Sequence, residues 1–287
     1  MNNINLSKIT TEGRNQNTIN IDELSTLKML ELMNQEDESV AGAVKLALPQ
    51  IAPLIDGLVE RFIKGGRLIY MGAGTSGRIG LMDAVECHPT FSCSFDMVQC
   101  LMAGGPGAVH QAKEGAEDDE QMAIEQLKEI NLSPLDTVVG IAASGRTPYT
   151  VSGVKYARSI GCLTGCITTS FNSILEQTAE YPIVAVTGAE VLMGSTRLKS
   201  GTAQKLICNM ISTVSMIKLG RTYSNLLTDM MPTNGKLVER SKNILHQALG
   251  VSFDEAKELL DKYGSIKTAL FGALTNEEDL QIINKLL

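Results

Sequence analysis

Residues 67–77 read Arg67-Leu68-Ile69-Tyr70-Met71-Gly72-Ala73-Gly74-Thr75-Ser76-Gly77: a short apolar run that breaks into a glycine-rich turn carrying two hydroxyls. The run has the length of a strand, and helical apolar spacing follows the turn through Glu86. Glycines let the backbone approach a ligand closely, while the free N–H groups and the dipole of the following helix favour an anion. The Gly72-x-Gly74-x-x-Gly77 spacing also fits a dinucleotide fingerprint, which is a weak match on its own. No Asp or Glu closes a clear second strand near position 93, and paired hydroxyls suit a phosphate monoester or sugar oxygens. The plainer alternative is a tight strand-to-helix turn with Ser and Thr as caps.

Outward from this turn the pattern alternates. Asp96 to Met102 reads as a strand closing on Gly104-Gly105, followed by a helix starting near Gly107 and an acidic, exposed one reaching Ile130. A strand from Asp136 to Ala142 ends at Ser144-Gly145-Arg146-Thr147, before a helix from Pro148 to Ile160. Strands at Cys162 to Thr169 and Tyr181 to Val186 precede a long helix from Lys199 to Leu219. Strands alternating with helices predict an α/β fold: a parallel, doubly wound sheet with helices on both faces. Ligands of such sheets bind beyond the carboxyl ends of the strands, where the polar turns lie.

The flanks are helical. Apolar spacing begins at Ser25 with Leu27, Leu30, Leu32 and Met33, and a second stretch runs from Ser39 to Lys64, where Pro49 and Pro53 predict a kink or restart. Beyond Lys236 only helical signals occur, including a capping box at Ser252 and Glu255 and short helices at Ser265 to Ala273 and Asn276 to Leu286. The expected division is an N-terminal segment with helices (1–54), a ligand-binding domain (55–220) and a small helical bundle (236–287).

The 287-residue chain is 44% hydrophobic, with a net charge of −7, 4% aromatics and no tryptophan. An acidic chain without a Lys/Arg block argues against nucleic acid as the main partner. It has no run of about 18 uninterrupted apolar residues, so no membrane span is expected. Residues 1–20 are polar, without the apolar stretch of a secretory leader. Six cysteines without a secreted framework's density read as reduced thiols in a cytoplasmic protein.

Two further turns repeat the first design. Ser144-Gly145-Arg146-Thr147 pairs hydroxyls at a strand end, and Gly188 to Lys205 packs Ser195, Thr196, Arg197 and Lys199 before the long helix. Neither the 72–77 turn nor the 144–147 turn contains the Gly-Lys-Ser/Thr of a nucleotide P-loop, which argues against ATP. The Gly-x-Gly-Thr-Ser and Ser-Gly-x-Thr pair resembles the sugar isomerase (SIS) domain, a phosphosugar-binding fold. The segment Gly188 to Lys205 resembles the signature shared by the glucokinase regulatory protein and the N-acetylmuramic acid 6-phosphate etherases. The etherase resemblance spans the whole chain: Thr11-Glu12-Gly13-Arg14-Asn15, Asp83-Ala84-Val85-Glu86-Cys87-His88-Pro89-Thr90, Ala103-Gly104-Gly105, Glu114-Gly115-Ala116-Glu117-Asp118 and Ile141 through Tyr149. Many SIS proteins have serine where Ala142 stands, which shifts phosphate binding to Ser144 and Thr147.

That resemblance implies removal of the D-lactyl group from C3 of N-acetylmuramic acid 6-phosphate, leaving N-acetylglucosamine 6-phosphate. In the open-chain sugar the C1 aldehyde acidifies the C2 proton, so a base at C2 and an acid at the ether oxygen suffice, without metal or redox cofactor. It implies Glu86 as the acid and Glu117 as the base, with roles reversed during hydration. It further implies substrate contacts from Gly74, Thr75, Ser76, Gly77, Ser144, Gly145, Arg146, Thr147, Ser195, Thr196 and Lys199. It also implies a homodimer with the site near the subunit interface. Partial burial is expected to raise the acid's pKa. Read without the resemblance, both glutamates are ordinary solvated helix residues, and Glu114, Glu117, Asp118, Asp119 and Glu120 form a run suited to a helix N-terminus. Glu114 competes with Glu117 on this reading. His88 and His110 form no triad or metal spacing with His246, and Cys87 is not required as a nucleophile. A non-catalytic phosphosugar sensor and an aldose–ketose isomerase are the competing readings.

Overall fold

The structure is a computed structural model that describes residues 10–230 and 235–275. It divides into two compact units, one holding residues up to 85 together with 95–215, the other holding 86–94 and the chain from 216 onward.

The first unit is built on five parallel strands, β1 (Leu68–Gly72), β2 (Val98–Met102), β3 (Thr137–Ile141), β4 (Leu163–Thr168) and β5 (Tyr181–Val184), in the spatial order β2-β1-β3-β4-β5. β1, β3 and β4 are buried along their whole length, as strands covered on both faces must be. On one face Ile69, Met71 and Val138 pack with Leu127 of α3 (Glu120–Glu129), Tyr149 and Val154 of α4 (Pro148–Ile160) and Leu175 of α5 (Ile174–Thr178). On the other face, α1 (Thr26–Ile63) brings Leu54 against Gly165 and leaves room at Gly57 for Leu163. The α/β, doubly wound class expected above is what the chain forms.

Helix α1 departs from expectation in being one unbroken helix of 38 residues containing both Pro49 and Pro53. Both prolines lie on its exposed side, so the carbonyls they leave without an N–H partner, those of Lys45 and Pro49, face outward rather than into the core. The boundary expected at residue 54 therefore falls inside a helix. By length and composition α1 could cross a membrane. Its buried stripe (Val40, Val44, Ala47, Ile51, Leu54, Leu58 and Phe62) is instead spent on the unit's core. Leu27 and Leu30, read as part of an apolar stripe, are exposed.

Arg67 and Asp136 fix the register of the central strands at their start. The guanidinium donates from Nε to Oδ1 at 3.0 Å and from Nη2 to Oδ2 at 2.7 Å, and the Arg67 backbone N–H donates to the same carboxylate. With β1 and β3 aligned there, their far ends also coincide, Gly72 opposite Ile141. Between them lies the switch point of the sheet: β1 continues to β2 on one side, while β3 continues to β4 on the other. A crevice opens where such connections diverge.

Between β2 and β3 the expected helix near Gly107 is only a short 3-10 turn, Pro106–Val109, and the acidic helix α3 starts at Glu120 with Asp119 as its cap. Gly104 and Gly105, both with positive φ, keep helical backbone from reaching ahead of Pro106, and Gly115, also at positive φ, interrupts it before Ala116. In the second unit, α7 (Gly235–Leu249), α8 (Phe253–Tyr263) and α9 (Ile266–Thr275) pack around Leu245, Ala256 and Ala269. The capping box at Ser252 and Glu255 is present. The helix expected from Asn276 to Leu286 lies outside the described residues.

Candidate active site

The turn after β1 is as tight as backbone allows. A Cβ at Gly77 would stand 2.6 Å from the Gly72 carbonyl oxygen, and one at Gly72 would stand 2.8 Å from the Gly77 nitrogen. Only glycine fits both positions, so the chain passes directly from β1 into α2 (Gly74–Phe91). Cys100 supports the turn from β2, its Sγ 3.3 Å from the Gly77 carbonyl. Burial pushes that thiol up to about 12, so it stays protonated and able to donate. The turn after β3 depends on Gly145, at φ +63, where a Cβ would stand 2.3 Å from Ser173 Oγ. Gly77 and Gly145, expected as substrate contacts, thus shape the turns rather than line the opening.

Between these turns lies a cleft of about 330 Å³ lined by Glu12, Ala73, Gly74, Thr75, Ser76, Glu117, residues 141–144, Thr147 and Thr196. Ser76 donates to Gln204 Oε1 at 3.0 Å, an amide wholly inside the protein. The hydroxyls of Thr75, Ser144, Thr147 and Thr196 have no hydrogen-bond partner among the described residues. Thr147 stands at the N-cap of α4 without capping it. Four unengaged hydroxyls and two uncapped helix starts around one cleft form a cradle for an oxyanion with several acceptor oxygens.

Glu117 sits on a 3-10 turn, Ala116–Asp118, entered through Gly115 at φ +75. The N-capping role suggested for the acidic run belongs to Asp119, whose Oδ1 accepts the Met122 N–H at 2.9 Å. That frees Glu117 to line the cleft, whereas Glu114 lines only an adjoining pocket.

The family model for the glucokinase regulatory protein N-terminal SIS domain matches residues 50–158. An N-acetylmuramic acid 6-phosphate etherase of Clostridium beijerinckii is 52% identical over 285 residues, 98% of this chain and 94% of its own length. N-acetylmuramic acid 6-phosphate etherase 2 of Enterococcus faecalis is 48% identical over 285 residues, 99% of this chain and 96% of its own. This chain belongs to the N-acetylmuramic acid 6-phosphate etherase family. Etherases are carbon–oxygen lyases, and the chain is an enzyme of that class. Two solved structures share the fold. One is a sugar-phosphate isomerase, so named, of Listeria monocytogenes, with a TM-score of 0.51 at 14% identity, covering 69% of this chain and 94% of that one. The other is the phosphoheptose isomerase of Neisseria gonorrhoeae, with a TM-score of 0.51 at 13% identity, covering 67% and 98%. At such identity the likeness speaks for the fold alone.

Several residues expected at the site of this etherase-family chain stand elsewhere. Glu86 is exposed on α2 beside exposed Met82 and Val85, and it does not line the cleft of its own chain. Glu117 is exposed as well, so this chain alone buries neither glutamate. Arg146 is half-buried beside the second turn but outside the cleft lining, as is Ser195. Lys199 is a structural cation: 3% exposed, it holds Glu36 Oε2 at 2.6 Å. The helix start it begins, that of α6 (Lys199–Lys218), is filled from within. Glu190 accepts the Lys199 and Ser200 N–H groups, each at 2.9 Å. His88 is held within its own turn by the Cys93 carbonyl, and His110 is exposed.

Glu12 is the residue that sequence reading did not single out. Asn15 Nδ2 donates to Glu36 Oε2 at 2.7 Å and Thr18 Oγ1 donates to the Val191 carbonyl at 2.8 Å. These contacts dock the N-terminal Thr-Glu-Gly-Arg-Asn cluster on α1 and on the 188–199 segment, and Glu12 lines the cleft. The signals available were the density of polar residues in that cluster and its resemblance to the etherases, neither of which assigned Glu12 a role. Asp83, in the motif that carries Glu86, is an anchor: it accepts Tyr70 Oη at 3.0 Å, Asn209 Nδ2 at 2.7 Å and Ser212 Oγ at 3.0 Å.

Proposed function

We propose that this protein cleaves the D-lactyl ether of N-acetylmuramic acid 6-phosphate to N-acetylglucosamine 6-phosphate and D-lactate, by elimination followed by hydration. The observation that carries the reading is the cleft at the β1/β3 switch point. There unengaged hydroxyls and open helix starts adjoin the Glu117 carboxylate. The 6-phosphate is held by Thr75, Ser76, Ser144 and Thr147 with the amides of the two turns, and Gly74 and Thr196 line the sugar's path.

Glu117 removes the C2 proton, and the electron pair is delocalised onto the C1 aldehyde oxygen. The C3–oxygen bond then breaks as an acid delivers a proton to the lactyl oxygen. Water adds at C3 and a proton returns to C2, with acid and base exchanging roles. Glu86 is assigned the acid's role, supplied to the cleft by a second copy of the chain. Met82 and Val85 beside it give that copy an apolar surface on the exposed side of α2, and Val214 and Ile217 of α6 add to the exposed apolar area. Substrate and the second copy would together enclose Glu86 against the cleft. The protein is assigned to catabolism of amino sugars from cell walls, in the cytoplasm, where its six free thiols stay reduced.

The test is incubation with N-acetylmuramic acid 6-phosphate in H₂¹⁸O, with assay of D-lactate and mass analysis of the sugar. Cleavage at C3 puts the heavy oxygen on the sugar and none on lactate. A ketose phosphate would make the protein an isomerase, and binding without turnover would make it a sensor.

A further inference from the structure

A second pocket, of about 180 Å³, opens beside the cleft and shares Ala73, Gly74 and Glu117 with it. Arg78 and Lys113 stand in its wall. Arg78, half-buried one turn along α2, donates from Nε to the Val109 carbonyl at 2.9 Å and from Nη2 to the Ala108 carbonyl at 2.8 Å. Lys113, more exposed, donates from Nζ to the Gly104 carbonyl at 2.6 Å. Neutral carbonyls thus hold both cations, and neither has a carboxylate partner among the described residues. A guanidinium offers five N–H donors and an ammonium three, so both keep donors to spare. A half-buried guanidinium is ordinarily paired, and one left unpaired beside an ammonium in the same small pocket calls for an anion.

We infer that this pocket is the subsite for the lactyl group, with Arg78 and Lys113 binding its carboxylate. The inference rests on the function proposed above. A muramic acid 6-phosphate carries two anions, and the cleft suits only one of them. Its hydroxyls and helix starts receive the phosphate, while its own charged side chains, Glu12 and Glu117, repel a second carboxylate. The lactyl substituent leaves C3, one carbon from the proton that Glu117 removes, and Glu117 is the charged side chain common to both cavities. Ala108, Ala116 and Met102 give the pocket an apolar wall for the lactyl methyl. Glu114 and Glu117 also face the pocket, which places the carboxylate on the Arg78 and Lys113 side. This subsite would separate the substrate from other amino-sugar phosphates of the same shape at C6.

The experiment compares two ligands on wild type, Lys113→Met and Arg78→Met. These are the substrate and N-acetylglucosamine 6-phosphate, which keeps the phosphate and the acetamido group but lacks the lactyl arm. Losing one charge-assisted contact should raise KM for the substrate about ten- to hundredfold and leave the inhibition constant of N-acetylglucosamine 6-phosphate unchanged. Because Arg78 also braces the 108–109 backbone, a substrate whose lactyl carboxylate is converted to the amide is the second arm. It should be a poorer substrate than the acid for wild type, and the preference for the acid should shrink in Lys113→Met. Parallel weakening of both ligands, or an undiminished acid-over-amide preference in both variants, overturns the subsite. Absence of lactate release by wild type would instead overturn the function beneath it.

Discussion

Replacing Lys199 with methionine separates a structural cation from a ligand-binding one. The lysine Nζ lies 2.6 Å from Glu36 Oε2, with the two side chains only 4% and 9% exposed. Glu36 otherwise keeps Asn15 on Oε2 and Asn17 on Oε1, at 2.7 and 2.8 Å. Methionine preserves the stem's volume but leaves a buried carboxylate facing two neutral amides. Breaking one side of a buried pair costs about 3–5 kcal/mol. For a folding unit of this size that is a fall in Tm of roughly 6–20 °C, measurable by circular dichroism melting. Adding Glu36→Gln removes the stranded charge, and the double variant should recover most of the loss, since neutral replacement of a whole buried pair is often tolerated. The same preparations, assayed well below their melting points, should keep the wild-type KM. If Lys199→Met leaves Tm in place and raises KM, the lysine contacts substrate and the reasoning fails.

Mixing Glu86→Gln with Glu117→Gln subunits after reversible dissociation should restore about a quarter of wild-type activity if each cleft takes Glu86 from the other copy, because half the dimers are mixed and each has one intact site. No recovery would place both glutamates in one chain. Glu117→Gln alone should abolish exchange of the C2 hydrogen with solvent, followed by NMR in D₂O, whereas Glu86→Gln should retain exchange while losing lactate release. Gly145→Ala forces a Cβ to within 2.3 Å of Ser173 Oγ at a left-handed φ and should cost about 2–4 kcal/mol in urea unfolding. Burial pushes the Glu36 and Asp136 carboxyls up, but Lys199 and the two asparagines, and Arg67 with backbone N–H groups, outweigh it and leave both below the ordinary range. A depressed folded pKa stabilises above the unfolded value, so stability should hold near neutrality and fall as pH drops below about 4. Asp136→Asn should flatten that acid limb in pH-dependent melts.

The parallel sheet and its two glycine turns were legible because their causes are local. Gly72 and Gly77 answer to each other across a single short turn, and short apolar strands between amphipathic helices leave few topologies. The features that escaped depend on distant partners. Nothing near Lys199 announces Glu36, 163 residues away, and the basic, hydroxyl-rich stretch from Gly188 reads equally well as a ligand site. Glu190 looks like one more loop carboxylate until it is found capping α6. Pro49 and Pro53 read as breaks because sequence does not say that they share the helix's outward side. Glu86 poses the opposite problem. Its motif is conspicuous, yet in a single chain it is exposed and lines no part of the cleft, so the role proposed for it calls for a second copy.

Glu190 also carries a consequence for selectivity. A Cβ on Gly201 of α6 would come within 3.5 Å of Thr75, so the start of α6 lies at the same mouth as those of α2 and α4. Three positive helix ends at one opening would give an incoming anion three rival berths. By plugging that of α6 with its own carboxylate, the protein leaves the starts of α2 and α4, and the phosphate site proposed above lies between those two.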